Sequence, residues 1–267
     1  MKKRNLLFII FLSSSIISNC QSTPTKLIYD FSCMEDDIFS SFINIGADIE
    51  NEILSTYGEN ISVSEEMVYG DSALIAFKNE YSFILEGNQN IRIQSIFQKL
   101  TLKIKSPKGY KYTLYLIESE NINAFTIGAK IYITTKMLSF CASDDEIACI
   151  IGHEIAHNEL GHIKDGISRV KTARNFGVIG DVSASLASLT TTSFNQKNEV
   201  HSDFIGIDIV IAAGYDGCAS SRLWNRMKST ENSSSGIDVF FNTHPYSSKR
   251  EVCAKHHIEV NYSQSCE

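Results

Sequence analysis

Apolar positions along this chain fall into blocks with two different periods. From Glu35 to about Tyr57 they recur at Ile38, Phe42, Ile45, Ile49 and Ile53, which predicts a helix ended by Gly58. Residues 59–90 show no clear period and read as loops with a short helix. Ile91 to Leu102 predicts a further helix, with Ile93, Ile96, Phe97 and Leu100 turned inward. The pattern then changes. After a turn at Pro107-Lys108-Gly109, Tyr112 to Ile117 is rich in strand-favouring residues, and Lys130 to Thr135 is a second extended run. Asn121 to Phe125 between them reads as a loop. Together these segments predict a small, mostly antiparallel sheet.

The next block is the strongest. Ser143-Asp144-Asp145-Glu146 is a capping box, with Ser143 as N-cap and Glu146 reaching back to it. Ile147, Ile150, Ile151, Ile155 and Leu160 then supply the inward face of a helix that runs through the core. The stretch from Phe176 to Phe194 is rich in Gly, Ala, Ser and Thr and reads as a loop or a small-residue helix. Asp181 and many hydroxyls interrupt it too often for a membrane span. Glu199 to Ala213 predicts another core helix through Phe204, Ile207 and Ile211. The fold class is therefore α+β, mainly helical, with the sheet ahead of the Ser143 helix.

Length and composition suit one sizeable domain. A formal charge of -7 argues against a nucleic-acid partner, and no Lys/Arg cluster outside the N-terminus suggests one. The N-terminus reads as an export signal: Met1-Lys2-Lys3-Arg4 is basic, and Leu6 to Leu12 is an apolar run too short to span a bilayer. Ile17-Ser18-Asn19-Cys20 resembles a bacterial lipobox, in which Cys20 takes the lipid. The expected organisation is a leader over 1–19, a tether over 20–32 and one domain over 33–267. Such a protein is exported to the bacterial cell envelope and touches a membrane through its N-terminal lipid at most. Cys33, Cys141, Cys149, Cys218, Cys253 and Cys266 remain. They fit disulfides for some and buried thiols for the rest, with the pairing left open.

Chemistry concentrates in His153-Glu154-Ile155-Ala156-His157, an H-E-x-x-H pattern inside the capped helix. Positions i and i+4 share a helix face, so the two imidazoles can hold one Zn²⁺ while Glu154 reaches a water beside it. A core helix with satisfied histidines is the competing reading of those five residues alone. A hydrolytic site needs a third ligand, and Asn198-Glu199-Val200-His201-Ser202-Asp203 offers Glu199. Asp203, one turn on, is placed to accept an N–H from a liganding histidine. None of the cysteines lies in these motifs, which argues against a closed structural zinc site.

Four separated pieces resemble the HtpX-like zinc metallopeptidases, family forty-eight of the metallopeptidases, which includes the CAAX prenyl endopeptidases. They are the H-E-x-x-H helix with His162; Glu199 to Asp203; Asn123-Ala124-Phe125 with the Lys130–Thr135 run; and Thr243-His244-Pro245 with Arg250. Gly128-Ala129 replaces the usual Gly-Gly, and Ser202 the usual alanine. The resemblance covers roughly residues 90–255 and implies a zincin-like fold and a zinc endopeptidase. It implies Zn²⁺ on His153, His157 and Glu199, with Glu154 moving the proton. His244 or Arg250 would stand near the oxyanion, or His244 would bind the metal and make a latent enzyme. Asn123, Ala124 and Phe125 would border a peptide substrate, which could pair with Lys130–Thr135 if that run is an edge strand. His256 and His257 match nothing in the pattern and read as surface residues. The implied partners are protein substrates in the envelope and possible assembly partners. The competing class is an assembly factor or chaperone that keeps the zinc but cleaves little.

Overall fold

The computed structural model describes residues 26–34, 60–105, 107–175, 194–230, 238–244 and 247–267. Cys20, the helix expected over 35–57 and most of the small-residue stretch lie outside the described residues. In chain order the elements are α1 (Val63–Glu80), β1 (Phe83–Ile84), α2 (Asn88–Thr101), β2 (Thr113–Ile117), β3 (Ala124–Ile127) and β4 (Lys130–Thr134). There follow α3 (Thr135–Phe140), α4 (Asp144–Leu160), α5 (His162–Asn175), α6 (Gln196–Ala212), α7 (Ala219–Thr230), α8 (Asp238–Thr243) and α9 (Ser247–Tyr262).

The fold is mainly helical with one small sheet, as the periodicity predicts. Its strand order is β1-β2-β4-β3. The outer pairs, β1–β2 and β3–β4, are antiparallel, while the central β2–β4 pair is parallel. Lys130–Thr134 is therefore an interior strand, and the expectation of an edge strand there fails. The edge belongs to β3, part of which reads as a loop in the sequence. β3 and β4 are joined by the two residues Gly128 and Ala129, both at positive φ (53° and 65°), the backbone of a tight hairpin. This turn lies against α1, where a Cβ on Gly128 would stand 2.2 Å from the Glu66 carbonyl.

α1 also corrects the sequence reading, which allowed only a short helix in this region. Its buried positions are Glu66, Gly70, Ala73 and Phe77, while Val68 and Ile75 face solvent. Half of the inward stripe is thus not apolar, and the hydrophobic period vanishes. The Glu66 carboxylate accepts a hydrogen bond from the Tyr110 hydroxyl at 2.6 Å, and its other oxygen has no partner among the described residues. Burial, opposed by that hydrogen bond and by Lys164, pushes its pKa up to about 7. A folded pKa above the unfolded value of 4.5 means a stability contribution that is whole below pH 4.5 and lost as pH rises through 7. Glu66→Gln should therefore stabilise the protein at pH 8 by up to about 3 kcal/mol and leave it little changed at pH 4.5. Urea denaturation at both pH values tests this; equal gains at both would rule out the buried charge as the cause.

The core is built on α4 crossing α6. The two helices run antiparallel, since Asp145 at the start of one meets Asp216 beyond the end of the other. They touch backbone to backbone at Gly152 and Gly206, where a Cβ on Gly206 would lie 2.9 Å from the His153 nitrogen. Ser143 caps α4 by accepting the Glu146 N–H at 3.3 Å, but the Glu146 carboxylate accepts from Ala142, not Ser143, and pairs with Arg226. Residues 26–34 are strapped to the other end of the molecule. Asn261 clamps both backbone groups of Ile28, at 2.7 and 2.8 Å, and Cys33 is bonded to Cys253. Cys218 is bonded to Cys266, while Cys141 and Cys149 are buried thiols. The strap also corrects the surface reading of the C-terminal histidines: His256 pairs with Asp30, and His257 is buried against Asp208 at 2.9 Å.

Candidate metal centre

Helical spacing brings His153 and His157 to one face of α4, and the glycine crossing brings α6 close enough for Glu199 to meet them. The two Nε2 atoms are 2.9 Å apart, and the Glu199 oxygens lie 3.5 Å from that of His153 and 3.3 Å from that of His157. His244, just beyond α8, adds its Nδ1 at 3.3 Å from His153 Nε2 and 3.2 Å from Glu199. One ligand atom from each of the four lies within 4.8 Å of the others, and all four residues are buried. Donors at the corners of a tetrahedron with arms of about 2.0–2.1 Å stand roughly 3.3 Å apart, so this set fits zinc. A metal also explains the crowding of ring nitrogens and a carboxylate better than hydrogen bonds alone.

Each ligand is held from behind. His153 Nδ1 faces Asp203 at 2.9 Å, which fixes the tautomer that leaves Nε2 toward the cluster. His157 Nδ1 lies 3.0 Å from His162 Nδ1, which in turn lies 3.2 Å from the Ser202 hydroxyl. Burial and nearby positive charge keep His157 well below the ordinary histidine range, and burial takes His162 down to about 3. Burial and the Arg250 charge oppose protonation of His153, yet Asp203 and Glu199 raise it to about 9. Glu199 is held well below the usual carboxylate range: burial opposes this, but Arg250 and His244 prevail.

Arg250 is fully buried. Its guanidinium grips Asp203 with two bonds (2.7 and 2.8 Å), donates to Glu199 at 2.5 Å, and lies 3.5 Å from the ring centre of Trp224. Glu154 turns the other way. One of its carboxylate oxygens has no hydrogen-bond partner among the described residues, and His244 Nε2 stands 3.6 Å from it. Burial foremost raises the pKa of Glu154.

The structure thus gathers His153, Glu154, His157, Glu199, Asp203, His244 and Arg250 in one buried place. Asn123, Ala124 and Phe125 lie on the adjoining sheet edge, but the ring of Phe125 stacks on Tyr132 in the core. The sequence reading gave no role to Ser202 or Trp224. Ser202 was visible as the small residue between Glu199 and Asp203. Trp224, the single tryptophan, carries no signal of its partners in sequence.

A mainly helical domain with a small sheet and a buried H-E-x-x-H and Glu cluster defines a zincin-like metallopeptidase. The comparisons agree. Residues 88–256 match the model for peptidase family M48, more than half of the chain. The chain belongs to peptidase family M48, whose members use zinc. It is 27% identical over 162 residues to the mitochondrial metalloendopeptidase OMA1 of Schizosaccharomyces pombe, covering 57% of this chain and 48% of that relative. To the Saccharomyces cerevisiae protein of the same name it is 28% identical over 184 residues, covering 60% and 53%. To the beta-barrel assembly-enhancing protease of Escherichia coli K12 it is 23% identical over 229 residues, covering 78% and 47%. The chain thus spans about half the length of these relatives.

Proposed function

We propose that this chain is a zinc-dependent endopeptidase that cuts unfolded or extended segments of cell-envelope proteins. The observation that carries the reading is the convergence of His153, His157 and Glu199 beside the unpartnered Glu154 oxygen. A bound zinc ion supplies Lewis acidity, polarising a scissile carbonyl and making water a stronger acid. Glu154 takes the water's proton and passes it to the leaving amine. Asp203 and His162 hold the two histidine rings, and Arg250 holds Glu199 and Asp203. Thr134 donates its backbone N–H to Asn123, so the alternate residues Ala124 and Thr126 turn their backbone groups away from β4. An extended peptide pairing with that side of β3, all four of whose residues are buried in the chain alone, would be read by backbone more than side chain.

Two disulfides support export to an oxidising compartment. We include in the proposal a leader over 1–19, a lipid at Cys20, a tether to residue 32 and one peptidase domain over 33–267. No helix among the described residues is long and apolar enough to cross a membrane. The name of the barrel-assembly relatives motivates envelope assembly partners; the OMA1 relatives are mitochondrial.

The test is degradation of an unfolded model protein by the zinc-loaded chain. Chelation should abolish cleavage and one zinc per chain should restore it. Cleavage that survives chelation would sink the reading. The position of His244 favours a second reading, in which it closes the fourth metal position and keeps the enzyme latent. His244→Ala should then raise the rate tenfold or more, by analogy with removing a bound competitor. If neither protein cuts while zinc stays bound, the chain is a binding module and not a peptidase.

A further inference from the structure

Outside the metal cluster, a cavity of about 250 Å³ opens between the N-terminal strap, the loop from α2 to β2, and α6. Leu27, Ile205 and Ile209 line it with apolar side chains, and Lys103, Lys105 and Lys108 line it as well. The lysines belong to an unusual run. Residues 99–111 hold five lysines and no acid, in a chain whose net charge is -7. Two carboxylates also border the cavity, but both are engaged. Glu159 accepts from the Tyr112 hydroxyl and the Lys108 backbone N–H, and Asp208 accepts from Tyr29, Tyr262 and His257. No ion pair holds the ammonium groups of Lys103 and Lys105 among the described residues.

A cavity lined by apolar side chains and three lysines suits a ligand with an oily tail and an anionic head. Ligand pockets commonly run about 300–1,000 Å³, and this one falls below that range. Its volume is of the size of a single acyl chain. We propose that this cavity binds the single acyl chain of an anionic lipid, with the headgroup on Lys103, Lys105 and Lys108. The site shares no residue with the metal cluster, so the proposal stands apart from the peptidase reading.

The probe is decanoate below its micelle concentration, titrated into the zinc-loaded full chain at low salt. Native mass spectrometry gives the stoichiometry and tryptophan-independent NMR shifts give the affinity. One decanoate per chain is expected, with decanol and inorganic phosphate each at least tenfold weaker. Lys103→Glu with Lys105→Glu should weaken decanoate on the order of tenfold or more, and raised salt should weaken it in the parent. Ile205→Trp, which fills the slot without touching charge, should block decanoate while leaving the metal stoichiometry at one. Decanol binding as well as decanoate would reduce the site to an apolar void. Phosphate binding as well would make it an ion site only. Either result, an unaffected charge-reversal variant, or no binding of decanoate overturns the proposal.

Discussion

Glu154→Gln should lower the rate of peptide hydrolysis by about two to four orders of magnitude, the usual worth of a positioned general base. The change is nearly isosteric, keeps the α4 backbone and removes only the capacity to accept a proton. Glu154 is 1% exposed, and one of its carboxylate oxygens has no hydrogen bond among the described residues for the amide to break. The ligand atoms of His153, His157 and Glu199 are untouched, so zinc should remain at one per chain. Rate and metal content are therefore measured on the same preparation. A variant retaining more than a tenth of the parent rate would show that another group moves the proton. Loss of zinc together with rate would make Glu154 a structural element of the site and void the assignment.

Much of this site is legible because its parts are local. The i, i+4 spacing of His153 and His157, the cap at Ser143 and the Glu199-to-Asp203 turn are each written within a few residues. What the sequence hides is either long-range or carried by small residues. The approach of α6 to α4 depends on Gly152 meeting Gly206, and two glycines far apart announce nothing. The order β1-β2-β4-β3 places the parallel pair in the centre, and hydrophobicity does not reveal that all five β4 residues are buried because α1 packs on one face of the sheet and α4 on the other. α1 hides for the opposite reason: it buries a glutamate and a glycine and exposes Val68 and Ile75. His257 reads as a surface residue because its partner, Asp208, lies on another helix, and Phe204 together with Tyr29 of the strap covers its ring.

The second large effect concerns Arg250. A buried guanidinium between Asp203 and Glu199 is expensive to desolvate, so the ion pairs add little net stability against an apolar core of the same shape. Removing one partner is different, because it leaves two buried carboxylates facing each other across a vacated space. Arg250→Met, which keeps much of the volume and the contact with Trp224, should destabilise the zinc-free protein by about 3–5 kcal/mol at pH 7. Arg250→Lys should recover only part, since one ammonium cannot reproduce the two-bond grip on Asp203 and the bond to Glu199 together. The pH dependence follows in sign. In the parent, Asp203 and Glu199 titrate below their ordinary values, so their stabilisation is present above the unfolded carboxylate range and lost as pH falls. Without Arg250 that depression goes, the carboxyls take up protons at higher pH, and the gap between parent and variant narrows as pH drops toward 4. Zinc should narrow it too, by giving Glu199 another cation. Guanidinium denaturation of the parent and both variants, at pH 7 and pH 5 and with and without zinc, measures all of these. A deficit under about 1 kcal/mol in the zinc-free protein at pH 7 would mean that Asp203 and Glu199 are neutralised by something other than Arg250.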